Sequence, residues 1–376
     1  MPRRPPPNRA RENGGHDPQR GRTPARRGVI PERGTKEDPE VRSARLDEER
    51  LIAALRELFR RRGSGLEEGI GDDAAVIGIR GERLLLTKDL LVEGVDFRRA
   101  WQPPRLLGRK SLNVNLSDIA AMGGRPLYAL LGLALPKKIE KRWVLEFLRG
   151  FRSAAEEHGV LLAGGDLSRA PRVMISVTVM GRAERPVLRR GAAPGDFLFV
   201  SGTLGDAAGG LRLLGRRGVP AAARRARGLP RRKSPGTAGR LVRAFFDPRP
   251  RLDLGRELAR RRLASAMIDL SDGLSVDLSR ICRASGAGAE IWADCIPLSD
   301  ALKAAFPSAL DLALHGGEDF ELLFSVRPSR LEELRRLGRR FPLHPVGRLV
   351  RGRDVVLLGR GGRRTPLPVR GWDHFQ

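Results

Sequence analysis

A set of acidic residues in this 376-residue chain lies where short apolar runs end or beside glycine and other small residues. The set comprises Asp72, Asp73, Asp89, Asp118, Asp166, Asp269, Asp272, Glu318 and Asp319. A carboxylate in such a place is partly shielded from water, which is unfavourable unless it is paired or binds a metal ion. If several of them converge, they form the all-oxygen site that suits Mg²⁺ bound to phosphate substrates.

Each of these acids also has a structural alternative. Asp272, at the start of a predicted helix, would commonly be an N-cap. Asp73 and Asp166 could be turn residues that hydrogen-bond their own backbone. Asp118 is harder to explain in this way, because an Asp within a helix has poor helix propensity and competes for backbone hydrogen bonds. A structural role is favoured for each position alone, and only the collective pattern favours a metal site.

Several other chemistries lack the residues that they need. The sequence has no G-x-x-x-x-G-K-[ST] motif, so the glycine-rich GTLGDAAGG has no phosphate-binding lysine. No Cys and His cluster has zinc spacing, and Cys282 and Cys295 make no disulfide framework. The sequence shows neither an apolar leader nor the roughly eighteen apolar residues of a membrane span. A cytoplasmic protein with no membrane partner is therefore expected.

The formal net charge of +27 raises the hypothesis of nucleic-acid binding. Much of the basic excess lies in residues 1–45 and 212–251, and arginine strongly outnumbers lysine along the whole chain. The aromatic residues are not interleaved with the basic runs, as platforms for stacked bases would be. Nucleic-acid binding is therefore not expected, and a basic nucleic-acid-binding protein is kept as an alternative of a different class.

Length and composition predict two domains preceded by a tail. Residues 1–44 are rich in Pro, Arg and Gly with almost no apolar side chains, which predicts a disordered basic tail. Apolar residues at helical spacing predict an amphipathic first helix that begins near Arg45. The linker RAERPVLRRGAAPGD predicts a boundary near residue 185, between an N-terminal domain at 45–184 and a C-terminal domain at 185–376.

Apolar runs that alternate with amphipathic segments predict mixed α/β sheets in both domains. The segment ERLLLTKDLLVEGVDF predicts two strands with an acidic turn between them. LLGRKSLNVNLSDIAAMGG predicts a helix that ends at Gly123 and Gly124, and SAMIDLSDGLSVDLSRICRASG predicts a buried strand, an acidic turn and a helix. Residues 216–251 carry Pro and Arg runs, which predict a loop or a poorly ordered helical excursion.

Several segments, in order from about residue 46 to the C-terminus, resemble the thiamine-monophosphate kinase family. This family is a branch of the aminoimidazole ribonucleotide synthetase-like superfamily. The matching segments are GIGDDAAV, TKDLLVEGVDF, NVNLSDIAAMGGRP, AGGDLS, RRGAAPGD, SGTLGDAAGGL, IDLSDGLSVDL, HGGEDFELLF and GWDHF. A single GDD or SDG would be weak evidence, whereas the ordered series covers nearly everything except the tail.

The resemblance implies a two-domain α/β architecture of the aminoimidazole ribonucleotide synthetase-like type. It also implies transfer of the γ-phosphoryl group of ATP to thiamine phosphate, with several Mg²⁺ ions and homodimers formed through the N-terminal domains. Phosphoryl transfer asks a protein mainly for positioning and charge neutralisation, so no catalytic residue beyond the metal and phosphate ligands is expected. Another ATP-dependent enzyme of the same superfamily is the nearest alternative.

The resemblance further implies three groups of site residues. The metal positions are Asp73, Thr87, Asp89, Asp118, Asp166, Asp269 and Asp272. The ATP positions are Gly165, Asp166, Arg189 and Ser271. The substrate positions are Asp96, Glu318 and Trp372. The indole of Trp372 could stack on the cationic, aromatic thiamine, and docking of the C-terminal tail onto the core is its structural alternative.

Two residues depart from the family pattern. Lys88 stands between Thr87 and Asp89 where the family usually has a second hydroxyl residue. It is expected either to ligate through its backbone carbonyl or to replace part of a metal's charge with its ammonium. Asp96 stands where histidine is common. In the GIGDDAAVIG segment, Asp73 is expected to be the ligand and Asp72 an outward or backbone-bonded neighbour.

Overall fold

The computed structural model of the protein describes residues 48–58, 65–216 and 236–371. The predicted tail, part of the predicted basic excursion and Trp372 lie outside these ranges. Two sheets with helices packed against them make up the described part of the chain, which confirms the prediction of mixed α/β sheets. Within these ranges, no helix combines the length and the apolar character that a membrane crossing would require.

The first sheet has six strands in the order β1-β2-β3-β6-β4-β5. Their bounds are Leu66–Glu68 (β1), Ala75–Ile79 (β2), Glu82–Val92 (β3), Arg125–Leu135 (β4), Leu161–Arg169 (β5) and Met174–Arg182 (β6). β4 and β5 are parallel, and the other neighbours are antiparallel. The inward side chains of this sheet share one core with the helices Pro104–Ala121 (α2) and Lys141–His158 (α3).

The second sheet has seven strands in the order β13-β12-β9-β11-β7-β10-β8. Their bounds are Phe197–Ser201 (β7), Ala264–Asp269 (β8), Gly288–Trp292 (β9), Leu322–Val326 (β10), Leu343–Val350 (β11), Val355–Leu358 (β12) and Arg364–Pro366 (β13). Only β9 and β12 are paired in parallel among these described strands. β8 forms one edge of the sheet and packs against α2.

The remaining helices flank the two sheets. Their bounds are Glu48–Leu58 (α1), Asp206–Arg216 (α4), Thr237–Phe246 (α5), Leu252–Arg260 (α6), Leu274–Ser285 (α7), Asp300–Ala305 (α8), Ala309–His315 (α9) and Leu331–Gly338 (α10). Short 3-10 turns cover Ala293–Cys295, Pro328–Arg330 and Arg360–Gly362. The strand, acidic turn and helix predicted around SDG are confirmed as β8 and α7.

α2 is the central helix, because it packs against α3, α6, the first sheet and β8. It is buried on nearly every side, and Leu112, Leu116 and Ile119 have no exposed surface. Burial of each such side chain stabilises the fold by about 1.5–3 kcal/mol. The predicted helix is confirmed and ends at Ala121, close to the two glycines. Asp118, in its last turn, is therefore held by a rigid element.

The segment ERLLLTKDLLVEGVDF contains one strand where two were predicted, because β3 runs from Glu82 to Val92 and no further strand precedes α2 among the described residues. Its ladder to β6 continues through the charged pair Lys88 and Asp89. Burial alternates along the strand, so Lys88 is exposed while Thr87 is buried on the opposite face. The chain turns only after Val92, where the backbone N–H of Gly94 donates to the carbonyl of Phe97.

Two other predictions change in detail. For residues 237–246, the helical alternative of the predicted loop or poorly ordered helical excursion is confirmed as α5. The expectation of poor order is wrong there, because α5 buries Leu241 and Phe246 in a small core with α4 and α8. The first helix is confirmed as α1, but no residue of α1 is buried. Its apolar side chains, such as Leu58, remain exposed among the described residues. Helical spacing alone therefore predicted the helix without predicting its packing.

Candidate functional site

Asp73, Asp118 and Asp269 form a carboxylate triad. One oxygen from each lies within 4.8 Å of the corresponding oxygens of the other two. Asp73 comes from the loop before β2, Asp118 from the end of α2, and Asp269 from the end of β8. Asp73 and Asp269 are buried, whereas Asp118 is half-buried. Three segments that are distant in sequence therefore place acidic oxygens around one small space.

The triad has the properties expected of a cation site. Burial raises the pKa of all three carboxyl groups, and the neighbouring carboxylates raise the pKa values of Asp118 and Asp269 further. The Oδ2 atoms of Asp73 and Asp269 are buried and accept no hydrogen bond within the described ranges. Buried oxygens without donors are unfavourable unless a cation or proton satisfies them. The donor set is entirely oxygen, which fits a hard divalent cation such as Mg²⁺.

Neighbouring polar groups fix the triad from the side of β3. The hydroxyl of Thr87 donates to Oδ2 of Asp118 at 2.5 Å. The backbone N–H of Asp89 donates to Oδ1 of Asn115 at 3.1 Å, and the amide of Asn115 donates to the carbonyl of Ser111. These bonds join β3 to α2 next to Asp118. Thr87 therefore orients the carboxylate of Asp118, whatever else its hydroxyl binds.

Asp89 extends the acidic site away from the triad. Burial raises its pKa to about 6, and the charges of Asp272 and Asp96 add to that rise. The carboxylate of Asp89 also raises the pKa of Asp118. Asp89 is thus electrostatically linked to the triad on one side and to the turn after β8 on the other. Most of the acidic residues predicted from the sequence lie around this site, and Asp166, described below, does not. Asp319 is a second exception, because its carboxylate accepts the backbone N–H groups of Gly205 and Ala207 at the start of α4.

Arg189 supplies a buried positive charge beside the triad. Its Nη2 lies 2.5 Å and its Nε 3.2 Å from Oδ1 of Asp73. Asp72 does not share this contact, because its carboxylate accepts the backbone N–H groups of Asp73 and Arg189, each at 3.1 Å. Burial, followed by the charge of Asp73, raises the pKa of Asp72 to about 7. Asp72 is the backbone-bonded member of the pair, as expected.

Two residues of α7 that the sequence reasoning missed fix the turn after β8. Asp272 is not an N-cap, because α7 begins at Leu274 without a side-chain cap. Asp277 instead accepts the backbone N–H groups of Asp272 and Gly273, each at 3.1 Å. Arg280 lies 2.6 Å from Asp272 and 2.8 Å from Asp277. The i,i+3 spacing of Asp277 and Arg280 on a helix was the available sequence signal.

Asp166 and Gly165 lie on β5, the exposed edge strand of the first sheet. A Cβ atom at Gly165 would meet the carbonyl oxygen of Leu131 at 1.9 Å, so glycine is required for this close pairing with β4. Asp166 is exposed and is not a member of the triad. The structure therefore does not bring Asp166 together with the other predicted metal positions. Its assignment remains a prediction.

Lys88 is exposed, and the alternation of β3 puts its side chain on the face opposite Thr87 and Asp89. Its ammonium therefore does not join the carboxylate triad. In antiparallel pairing, Lys88 lies opposite Thr178, which in turn lies opposite Leu130. The departure from the family pattern thus falls on the outward face of the first sheet. Ligation through the backbone carbonyl of Lys88 remains a prediction.

Of the three predicted substrate positions, Asp96 and Glu318 lie within the described residues. Asp96 accepts the backbone N–H of Val92 at 2.7 Å and so fixes the turn after β3. Glu318 lies in the loop before β10, and its carboxylate is 2.6 Å from the buried ammonium of Lys110, a residue that sequence reasoning missed. Asp96 and Asp272 both raise the pKa of Glu318, after the larger effect of burial. Glu318 and Asp96 therefore lie on the same side of the acidic site.

The C-terminal segment before Trp372 is anchored beside the turn that contains Asp272. The hydroxyl of Ser275 on α7 donates to the carbonyl of Arg370 at 2.6 Å and lies 2.9 Å from Nδ1 of His315. The segment therefore reaches the beginning of α7 at its last described residues. The role expected of Trp372 falls outside the described residues.

The fold and the acidic site define a member of the AIR synthase related proteins. The family model for the N-terminal domain of these proteins matches residues 71–183, and the model for their C-terminal domain matches residues 193–359. Thiamine-monophosphate kinase from Aquifex aeolicus is 34% identical over 310 residues, which cover 81% of this chain and 92% of the relative. This chain belongs to the thiamine-monophosphate kinase family.

Other matches agree with this family. Thiamine-monophosphate kinase from Escherichia coli K12 is 36% identical over 336 residues, covering 86% of this chain and 97% of the relative. The solved structure of AaThiL complexed with AMPPCP and TMP is similar, with a TM-score of 0.75 and 33% identity. That match covers 88% of this chain and 97% of the other. The two-domain architecture is thus shared along nearly the full length of the relatives.

Proposed function

We propose that this chain catalyses ATP-dependent phosphorylation of thiamine phosphate to thiamine diphosphate. The observation that carries the proposal is the buried carboxylate triad beside Arg189, in a chain of the thiamine-monophosphate kinase family. The AaThiL structure, complexed with an ATP analogue and TMP, supports the same pair of substrates. A site of carboxylates and arginine provides the metal and phosphate ligands that this reaction needs.

The reaction requires the protein to bring two anions, ATP and thiamine phosphate, close together. A phosphate oxygen of thiamine phosphate attacks the γ-phosphorus of ATP, the bond from that phosphorus to the β,γ-bridging oxygen breaks, and ADP leaves. No covalent enzyme intermediate is needed, so the protein contributes positioning and electrostatic stabilisation. The rigid placement of Asp118 on α2 and of Asp269 at the end of β8 serves the first of these tasks.

The chain's own oxygens fit bound Mg²⁺. Asp73, Asp118 and Asp269 would hold one ion, and the two buried oxygens without hydrogen-bond donors would then be satisfied. Asp89 and Asp272 continue the acidic surface and are proposed as further ligands. When bound, such ions neutralise part of the charge of the phosphates. Thr87 and Asp166 are retained as proposed ligands on the family resemblance alone.

The nucleotide positions lie around this acidic site. The guanidinium of Arg189 carries several donors in a planar fork, which matches phosphate oxygens as well as carboxylates. We propose that it binds a phosphate of ATP once cations compensate Asp73. Ser271, in the turn after β8, and Gly165 with Asp166, on β5, are the other proposed contacts. For thiamine phosphate, the proposed contacts are Glu318, Asp96 and Trp372.

An assay of the purified full chain tests this proposal. Incubation with ATP, MgCl₂ and thiamine phosphate is expected to yield thiamine diphosphate and ADP in equal amounts, measured by chromatography. Replacing thiamine phosphate with thiamine, or adding EDTA in excess over Mg²⁺, is expected to abolish the product. Failure to form thiamine diphosphate at every Mg²⁺ concentration would contradict the proposal. Addition of DNA is expected to leave the rate unchanged, in contrast to the nucleic-acid alternative.

The domain boundary near residue 185 remains a proposal that two observations support. The first sheet ends with β6 at Arg182, and the second begins with β7 at Phe197. The two family models divide at the same linker. The cytoplasmic location expected from the sequence stays a prediction.

We also propose that two copies of the chain pair through the outward face of the first sheet. Leu86, Leu90, Tyr128 and Leu130 lie on this face with 40–48% of their surface exposed. Leu86 and Tyr128 both pair with Met180, so the apolar side chains continue across three neighbouring strands. A contiguous exposed apolar face of this kind commonly marks an interface. A twofold dimer would cover the same face of both copies.

Leu130→Glu is expected to convert the dimer to a monomer, because it places a charge in the centre of the buried interface. Size-exclusion chromatography with light scattering would show twice the chain mass for the wild type and one chain mass for the variant. Leu145→Glu is the matched control, since Leu145 is 42% exposed on α3. A monomeric wild type would contradict the proposed dimer.

A further inference from the structure

Lys110 is a buried lysine on the central helix α2. Its side chain, on α2, is 1% exposed. Nζ lies 2.6 Å from Oε2 of Glu318 and 4.0 Å from the centre of the Phe245 ring. The pair joins residues that are 208 positions apart. An ammonium group removed from water is strongly unfavourable unless a carboxylate compensates it, so Lys110 and Glu318 form an obligatory pair.

The two partners differ in how far they are exposed. The side chain of Glu318 is 28% exposed, whereas that of Lys110 is almost fully enclosed. The ammonium donates to Oε2, which leaves Oε1 as the carboxylate oxygen that this contact does not use. The pair therefore leaves part of the Glu318 side chain accessible and keeps its positive charge enclosed.

The backbone also fixes Glu318. Its φ of 71° is left-handed, and its N–H donates to the carbonyl of Ser271 at 2.7 Å. A Cβ atom at Gly317 would lie 2.6 Å from that same carbonyl oxygen, so only glycine allows the loop to approach the turn after β8 this closely. The Glu318 loop and the Asp272 turn therefore form one unit. Glu318 is thus held at its backbone by Ser271 and at Oε2 of its side chain by Lys110.

We propose that Lys110 is a positioning residue that makes Glu318 a selective hydrogen-bond acceptor for the amino group of the substrate's aminopyrimidine ring. This inference rests on the proposed function, in which Glu318 contacts thiamine phosphate. Lys110 compensates the charge of Glu318, so the carboxylate does not act as the counter-ion of the thiazolium ring. It instead offers Oε1, in a fixed direction, to an N–H donor.

The geometry has a consequence for substrate selection. A site that holds a rigid acceptor rejects an analogue that lacks the matching donor, because the buried acceptor is then left unpaired. The phosphate of oxythiamine carries a carbonyl oxygen on the pyrimidine ring in place of the amino group. The wild type should therefore prefer thiamine phosphate to oxythiamine phosphate by about 100-fold or more in kcat/KM. This preference depends on Lys110 as well as on Glu318.

Steady-state kinetics of Lys110→Met test the inference. Methionine fills a similar volume without the charge, so the Glu318 carboxylate loses its anchor at Oε2. We expect KM for thiamine phosphate to rise about 10-fold, KM for ATP to stay within twofold, and the preference over oxythiamine phosphate to fall at least 10-fold. Lys303→Met is the matched control, because Lys303 is 58% exposed on α8. Thermal melting reports whether each variant is folded.

Glu318→Gln keeps the inference testable if Lys110→Met does not fold. The amide retains an oxygen for Lys110, but its NH₂ group cannot accept the substrate's hydrogen bond. The same loss of preference is expected, and the double variant should lose no more than either single variant. Folded variants that retain the wild-type preference would overturn the inference. Absence of thiamine diphosphate from the wild-type reaction would instead overturn the proposed function.

Discussion

Replacement of Asp118 by Asn is expected to lower kcat/KM for thiamine phosphate by about 10²- to 10³-fold. Asp118 is the triad member on the rigid end of α2, and Thr87 fixes one of its oxygens. The amide keeps the shape of the side chain but removes the negative charge that a divalent cation requires. Loss of one fixed electrostatic group at a reacting centre commonly lowers rates by this amount.

The same variant should fold at least as well as the wild type when no metal ion is present. Burial and the charges of Asp89 and Asp269 raise the pKa of Asp118, which shows that its ionised form is unfavourable in the metal-free protein. Removal of that charge is therefore expected to leave the melting temperature equal or higher in EDTA. Addition of MgCl₂ should raise it less than in the wild type, because the metal binds the variant more weakly.

Asp253→Asn is the matched control for this variant, because Asp253 lies on α6 with 61% of its side chain exposed. Its activity and its response to Mg²⁺ should remain at wild-type levels. Differential scanning fluorimetry with and without MgCl₂, together with the product assay, measures both effects. Near-normal activity of folded Asp118→Asn would show that the triad does not bind the catalytic metal.

The elements at the acidic site could be predicted where local signals agreed. The apolar run before Asp269 and the helical periodicity after Gly273 gave the strand, turn and helix. The acidic turn predicted with Gly94 is present, but no described strand follows it before α2, and β3 itself carries the charged pair Lys88 and Asp89. Here an uncovered sheet face accommodates Lys88, and Asn115 on α2 accepts the N–H of Asp89. These neighbours are brought together by the tertiary structure, so a short stretch of sequence cannot reveal them.

The site was predictable for its acids but not for the ion pairs that hold them. The ends of strands and the small neighbours marked Asp73 and Asp269, and the structure brings both together with Asp118. Nothing in the sequence joins Lys110 to Glu318, because the α2 helix and the loop before β10 meet only through packing. A lysine among apolar helix positions was the one sequence signal for a buried partner. The structure was therefore needed to identify which buried charges pair when they lie far apart in the sequence.

Arg189→Met is expected to lower kcat/KM for ATP by about 10²- to 10³-fold, because it removes the fork of donors proposed to bind a phosphate. It should also destabilise the metal-free protein by about 3–5 kcal/mol, since it leaves the buried Asp73 carboxylate without its cation. Product assays at varied ATP concentrations measure the first effect, and chemical denaturation in EDTA measures the second.

Mg²⁺ should restore much of the stability that Arg189→Met loses. In the wild type, a cation that binds Asp73 competes with the guanidinium that lies 2.5 Å from Oδ1, whereas in the variant it meets no competitor there. The increase in melting temperature on addition of MgCl₂ is therefore expected to be larger in the variant than in the wild type. Arg190→Met is the neighbouring control, because Arg190 is 55% exposed and pairs with Glu68. An equal Mg²⁺ response in all three proteins would show that Arg189 and the metal do not share Asp73.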